Sequence, residues 1–231
     1  MKTLGVLGGM SWESTQHLYA LLNRGVAQRL GGLHSAQLVL HSVDFAAVAA
    51  LQSAGDWAGA AQRLGAAAAG LQRAGAEALV LATNTMHRVA AEVEQAAGLP
   101  VLHIVDATGD ALRAAGVRRA GLLATQYTME PGFYRDRFRT RFDIDTVVPD
   151  EAGRAWVHRL IYDELCQGRL EAASREGLRQ QVTALAERGC QAVILGCTEL
   201  GLLLPAGSPA AVPLFDTTEL QARAAVDWML G

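Results

Sequence analysis

The run Ala74-Gly-Ala-Glu-Ala-Leu-Val-Leu-Ala-Thr83 returns 114 residues later as Arg188-Gly-Cys-Gln-Ala-Val-Ile-Leu-Gly-Cys197. In each copy a glycine leads into a short apolar run, and a small hydroxyl or thiol residue follows it. Such a run, rich in Val, Leu and Ile and bounded by turn residues, reads as a buried parallel strand. Two further pieces recur in the same order. Leu4-Gly-Val-Leu7 matches Ala120-Gly-Leu-Leu123, and Pro100-Val-Leu-His-Ile-Val-Asp106 parallels Val212-Pro-Leu-Phe-Asp216, each aspartate opening a helix-like segment. One apolar match would mean little, because any two parallel strands look alike. Three in order indicate a duplication. Its period is close to half the chain and far too long for a solenoid.

Working outward, strands are expected at Thr3–Leu7, Gln37–Ser42, Ala78–Ala82, Val101–Val105, Ala120–Ala124, Ala192–Leu195 and Val212–Phe215. Helical patterns separate most of them. Trp12–Leu30 opens behind Ser11, whose hydroxyl suits an N-cap. Trp57–Ala74, Arg154–Gln167 and Ala172–Arg188 follow, the last closed by Gly189. Strands alternating with helices imply an α/β fold with mostly parallel sheets. The expected architecture is two similar Rossmann-like α/β halves related by a pseudo-twofold, with the active site between them, where strand C-termini bind ligands. The first domain is expected to comprise residues 1–98 plus 210–231, the last strand returning to it, and the second residues 99–209.

Composition narrows the chemistry. At 231 residues, the chain lies between one large and two small domains at roughly 100–200 residues each. A chain of this size buries about 70% or more of its unfolded surface. Hydrophobic residues make up 51% and charged residues 19%, which argues against disorder. The net charge of −3 gives no global pull toward nucleic acid or anionic membrane. No apolar stretch reaches the ~18 residues of a membrane span. The opening residues run straight into an apolar strand without the layout of a signal peptide, and three cysteines make no disulfide framework, so the cytoplasm is the expected location. Lys2 is the only lysine. It precedes the first strand, which nearly excludes pyridoxal-phosphate and aldolase-type Schiff-base chemistry. There is no GxxxxGK[ST]; Gly5-Val-Leu-Gly8-Gly9 is not GxGxxG; no HExxH or CxxC occurs, and the six histidines are scattered. Neither a nucleotide cofactor nor a metal is expected.

Two matched strand ends dominate what remains: Ala82-Thr-Asn-Thr-Met-His87 and Gly196-Cys-Thr-Glu-Leu200. Related by a pseudo-twofold, Thr83 and Cys197 would face each other, an arrangement suited to chemistry on both faces of one carbon. A plain reading stands beside each residue. Cys197 also reads as a buried structural cysteine, as Cys166 and Cys190 do more readily. Thr83 also reads as a turn residue. Glu199 either tunes Cys197 or caps a helix, and His87 either faces the site or sits in the core.

Gly8-Gly-Met10, the Asn84-Thr85 pair, the run Gly196-Cys-Thr-Glu199 and the duplicated architecture resemble the aspartate/glutamate racemase family, over essentially the whole chain. Gly31-Gly-Leu-His-Ser-Ala36 and Ser42-Val-Asp-Phe45 carry a closer likeness to its aspartate racemase and broad-specificity amino-acid racemase branch. The resemblance implies a cofactor-independent racemase or epimerase acting on aspartate or glutamate, a homodimer, and an amino acid as the only partner. It implies that Cys197 is the base on the L-enantiomer. Family members generally carry a cysteine at both strand ends, and this chain departs from them with Thr83, a far weaker acid than a thiol that can still donate or relay a proton. Asn84, Thr85 and Thr198 are expected to hold the substrate carboxylate. Gln52 sits where the family places a side-chain contact, and Arg169 where a basic residue is common, although a solvated arginine reads equally well. Met10, Ser11, Thr125, Tyr127 and Thr128 follow strands expected to end at the cleft. The same two-half fold with a cleft cysteine also resembles hydantoin racemases, arylmalonate decarboxylases and maleate isomerases, of which the decarboxylases manage with a single competent cysteine. A threonine at one base position leaves room for a catalytically weakened amino-acid or dicarboxylate-binding protein.

Overall fold

The computed structural model describes residues 1–205 and 207–231. Two compact units divide the chain, one of Met1–Ile104 with Gln221–Gly231 and one of Val105–Leu220.

The first unit runs β1 (Leu4–Gly8), α1 (Trp12–Leu30), β2 (Leu38–Ser42), α2 (Phe45–Ala54), α3 (Trp57–Arg73), β3 (Ala78–Leu81) and, past a 3-10 turn at Thr85–Val89, α4 (Ala90–Ala97). Its strands are parallel in the order β2-β1-β3, with Leu7 opposite Leu81. β1 and β3 are buried along their whole length. Their side chains therefore feed two cores in alternation, as the two-residue pleat requires. Leu7, Leu79 and Leu81 pack with Leu64, Ala68 and Val93 from α3 and α4. Leu4, Val6 and Val80 pack with Leu18, Leu22 and Val26 of α1 and with Ala225, Val226 and Met229 near the C-terminus. Burying each such aliphatic side chain contributes about 1.5–3 kcal/mol, so this three-layer packing is what holds the strand ends in place.

The second unit runs α5 (Ile104–Ala114), β4 (Arg119–Leu123), α6 (Gln126–Met129), α7 (Gly132–Phe142), β5 (Asp145–Val147), α8 (Glu151–Arg159), α9 (Ala172–Glu187), β6 (Ala192–Leu195), α10 (Thr198–Leu203) and β7 (Leu214–Asp216), and α11 (Thr217–Leu230) closes the chain. Its sheet is parallel in the order β5-β4-β6-β7. The expected α/β class with parallel sheets is what the structure contains.

Three readings are corrected. Val101–Val105 is not a strand: Val101 alone bridges Leu79, and α5 begins at Ile104. The last strand does not return to the first sheet. β7 pairs with β6, Val193 opposite Leu214, because Val101 already fills the matching place beside β3; the helix α11 supplies the returning residues. The helix expected at Arg154–Gln167 starts earlier, where Asp150 accepts from the Gly153 N–H at 2.8 Å, and it changes winding. A π turn at Leu160–Glu164 and a 3-10 turn at Leu165–Gln167 follow α8. β5 was not anticipated; three residues starting with an aspartate leave too little alternation to read. Among the described residues, no helix is long and apolar enough to cross a membrane.

Candidate active site

Parallel strands end on one edge of a sheet, so β1 and β3 deliver their following residues side by side. After β1 the chain turns at Gly9, whose φ of +91° suits glycine; a Cβ there would overlap the Val43 backbone. Thr15 pins this turn, accepting from the Gly9 N–H at 2.8 Å and donating to the Ser11 carbonyl at 2.8 Å. Ser11 caps α1, as its position suggested, accepting from the Ser14 N–H at 3.3 Å.

After β3, Thr83, Asn84 and Thr85 are all buried. His87 fixes their backbone. Its Nε2 lies 3.2 Å from the Ile104 N–H, so it must accept there, and the neutral ring then carries its proton on Nδ1, 2.8 Å from the Thr83 carbonyl. His87 is thus a core pin between the end of β3 and the start of α5. Gln52, on α2, is buried and donates to Met86 Sδ at 3.0 Å.

The second unit repeats the pattern. Ala82 donates to the Leu7 carbonyl at 2.9 Å in the first sheet, and Gly196 donates to the Leu123 carbonyl at 2.7 Å in the second. Thr83 and Cys197 are the next residues in each. Cys197, 9% exposed, occupies the N-cap position of α10. Its Sγ donates to Glu199 Oε2 at 3.0 Å, and Thr198 Oγ1 donates to the same oxygen at 2.5 Å. Cys166, from the 3-10 turn after α8, reaches the other oxygen, Oε1, at 3.7 Å. Glu199 is therefore a buried carboxylate that gathers two thiols and a hydroxyl, rather than a cap. α10 in turn packs closely on β7: a Cβ on Gly201 would overlap the Asp216 carboxylate.

These surroundings set the electrostatics. Burial pushes the Cys197 thiol well up, and the Glu199 carboxylate, Cys166 and the hydrogen bond to Glu199 push the same way; only the Glu199 N–H opposes them. Burial, then Cys197, raises the fully buried Tyr134 hydroxyl. Burial, then Cys166 and Cys197, raises that of Tyr162. Burial lowers His158, and its Nδ1 accepts from the Gln126 N–H at 3.3 Å. The rings of Tyr127, His158 and Tyr162 meet edge-on or tilted, with Tyr127 and His158 centroids 5.5 Å apart. Thr125 and Thr128 lie together, their hydroxyls 3.3 Å apart.

The strand-end residues read from the sequence therefore gather within each unit: Met10, Ser11, Thr83, Asn84 and Thr85 in one; Thr125, Tyr127, Thr128, Cys197, Thr198 and Glu199 in the other. Arg169 follows the 3-10 turn that carries Cys166. It is exposed in the loop past Gly168, and its guanidinium donates to the Asp163 carbonyl. Cys166, Tyr134 and Tyr162 were missed, and no local pattern marks them. Among the described residues, no group of three or more His, Cys, Asp or Glu side chains is arranged to hold a metal ion.

Residues 7–225 match the family model described as Asp/Glu/Hydantoin racemase. A crystal structure from Yersinia pestis, described provisionally as an Asp/Glu racemase, shares 49% identity and a TM-score of 0.91 over 100% of both chains. An aspartate racemase homologue from Pyrococcus horikoshii OT3 shares 30% identity and a TM-score of 0.84, again over 100% of both. A glutamate racemase of Ectopseudomonas mendocina (strain ymp) is 33% identical over 158 residues, 64% of this chain and 57% of that enzyme; the chain thus spans little more than half of that relative's length.

Proposed function

Because the chain belongs to the Asp/Glu/hydantoin racemase family, we propose that it racemises an amino acid, aspartate or glutamate, without a cofactor, using Cys197 as the base on the L-enantiomer and Thr83 in place of a second cysteine. The observation that carries this reading is the pair of matched strand ends. Ala82-Thr83 and Gly196-Cys197 follow the same inter-strand hydrogen bond in two sheets of the same order, and one of them presents a thiol against a buried carboxylate.

The chemistry follows from the acid strengths. The Cα–H of an amino acid is a weak acid, and its removal needs a strong base held close. A buried thiolate is such a base, because the surroundings that make Cys197 hard to ionise also make its anion eager for a proton. The charge nearest Cys197 is that of Glu199, so a substrate ammonium would supply the cation that favours the thiolate. Charge developing on the substrate carboxylate needs preorganised donors, a role proposed for Asn84, Thr85 and Thr198, the last only by turning its hydroxyl away from Glu199. Thr83 can return a proton to the opposite face only slowly, because its hydroxyl is a poor acid. Equal stability of the enantiomers requires equal kcat/KM in both directions, so the asymmetry must appear in kcat and KM separately. The lone lysine supports chemistry without pyridoxal phosphate: the Lys2 ammonium lies over the Trp228 ring, 5.0 Å from its centroid.

The test is a panel of L- and D-amino acids in D₂O followed by NMR. Thr83→Cys should speed α-deuterium uptake by D-aspartate or D-glutamate at least tenfold, within the ~10²–10⁴ that a positioned acid or base supplies. A folded Thr83→Cys variant that binds substrate without any gain would count against the two-face arrangement. Ligand binding with no exchange on any amino acid would favour a binding protein.

A further inference from the structure

Glu199 has two carboxylate oxygens, and they are served from different parts of the chain. Oε2 takes Cys197 and Thr198, its own neighbours, whereas Oε1 meets Cys166, 33 residues earlier. Cys166 arrives there because the helical run after α8 loosens into the π turn at Leu160–Glu164 and tightens into the 3-10 turn at Leu165–Gln167. Single π turns of this kind often mark functional positions. In a regular helix, Cys166 would lie at a different angle.

We propose that Cys166 is a positioning residue for Cys197, acting through Glu199; the role rests on the reading of Cys197 as the base. Two physical effects carry it. The terminal torsion of a glutamate is broad and roughly two-fold, so packing alone holds its carboxylate plane weakly. A donor on Oε1 favours the orientation in which Oε2 faces Cys197, which by itself keeps the proton on that thiol. A donor on Oε1 also draws carboxylate charge away from Oε2, which lessens its repulsion of a Cys197 thiolate, and this second effect is the one that sets the sign of the Cys197 midpoint. A thiol is a weak donor and 3.7 Å is long, so the bias is modest. Among the groups that bear on Cys197 are the Glu199 carboxylate and N–H, Cys166, Tyr134 and Tyr162. Of these, the Glu199 carboxylate is the group that most raises Cys197 after burial. Ionised, Cys166 would oppose the Cys197 thiolate, so its helpful form is the thiol.

The experiment compares Cys166→Ser, which keeps a donor, with Cys166→Ala, which removes it; neither side chain can ionise. The readout is the pH midpoint for iodoacetamide alkylation of Cys197, followed on its own peptide by mass spectrometry. A midpoint resists changes in reagent access better than a rate does. Cys166→Ala should titrate about 0.5 pH unit above Cys166→Ser, a roughly threefold smaller thiolate fraction below both midpoints. Cys166→Val, which fills the thiol's space without a donor, replaces the alanine variant if that loses the fold. Equal midpoints, or a lower one in the donor-free variant, would overturn the proposal. Alkylation needs no substrate, so it can fail while amino-acid racemisation stands. A midpoint difference in a protein that exchanges no amino acid would keep the positioning role and remove the racemase reading.

Discussion

At Cys197, burial and Glu199 act against ionisation, and the pH dependence follows from that. In the proposed reaction the thiolate is the active form, and burial and Glu199 raise the thiol's pKa, so activity should climb with pH through and beyond the ordinary thiol range. For α-proton exchange on an L-substrate, log kcat/KM should rise with pH from 7 to 9 without levelling. Glu199→Gln removes the carboxylate charge and should move the profile to lower pH, measured on the same substrate so that substrate ionisation cancels. A wild-type profile already flat at pH 7.5, or a Glu199→Gln profile moved upward, would be incompatible with this account. Cys197 and Thr83 were legible in the sequence because each ends a strand of a visible repeat. Cys166 was not, because its partner lies 33 residues away and only a change in helix winding brings them together. Arg169 was read both as a carboxylate contact and as a solvated arginine; its side chain is exposed and bonds to its own segment, at the Asp163 carbonyl.

The elements were legible where periodicity runs long. The helix Trp12–Leu30 is bounded as read, with Ser11 as its cap. The short β5 and the single bridge at Val101 were not, since a strand of one to three residues is fixed by its neighbours rather than by its own pattern. The two aspartates of the repeat have also diverged. Asp216 is buried and caps α11, accepting from the Thr218 N–H at 2.8 Å and the Glu219 N–H at 3.3 Å. Asp106, in the first turn of α5, instead pairs with Arg137 at 2.6 Å and Arg141 at 2.8 Å on α7, where half-exposed side chains are screened by solvent. Losing an N-cap costs about 0.5–2 kcal/mol, typically ~1, whereas partly exposed ion pairs contribute about 0–1 kcal/mol. Asp216→Ala should therefore lower the denaturant midpoint more than Asp106→Ala does, with an unchanged slope. The reverse order would show that the arginine pairs hold the fold more than the cap does.

Over the whole molecule, the duplication explains most of the architecture. It places β1, β2 and β3 with Val101 in the same order as β4, β5 and β6 with β7, and so corrects the expectation that the last strand leaves its own half. It also exposes the chief asymmetry, a threonine at one strand end and a thiol at the other. The proposed chemistry stands on the thiol. The most direct measurement is deuterium uptake at Cα of L-aspartate and L-glutamate in D₂O, by wild type and by a folded Cys197→Ser variant. Wild type should exchange the α-proton of at least one of them, and Cys197→Ser should lose at least a hundredfold of that rate. Full exchange by Cys197→Ser would contradict the assignment of Cys197 as the base.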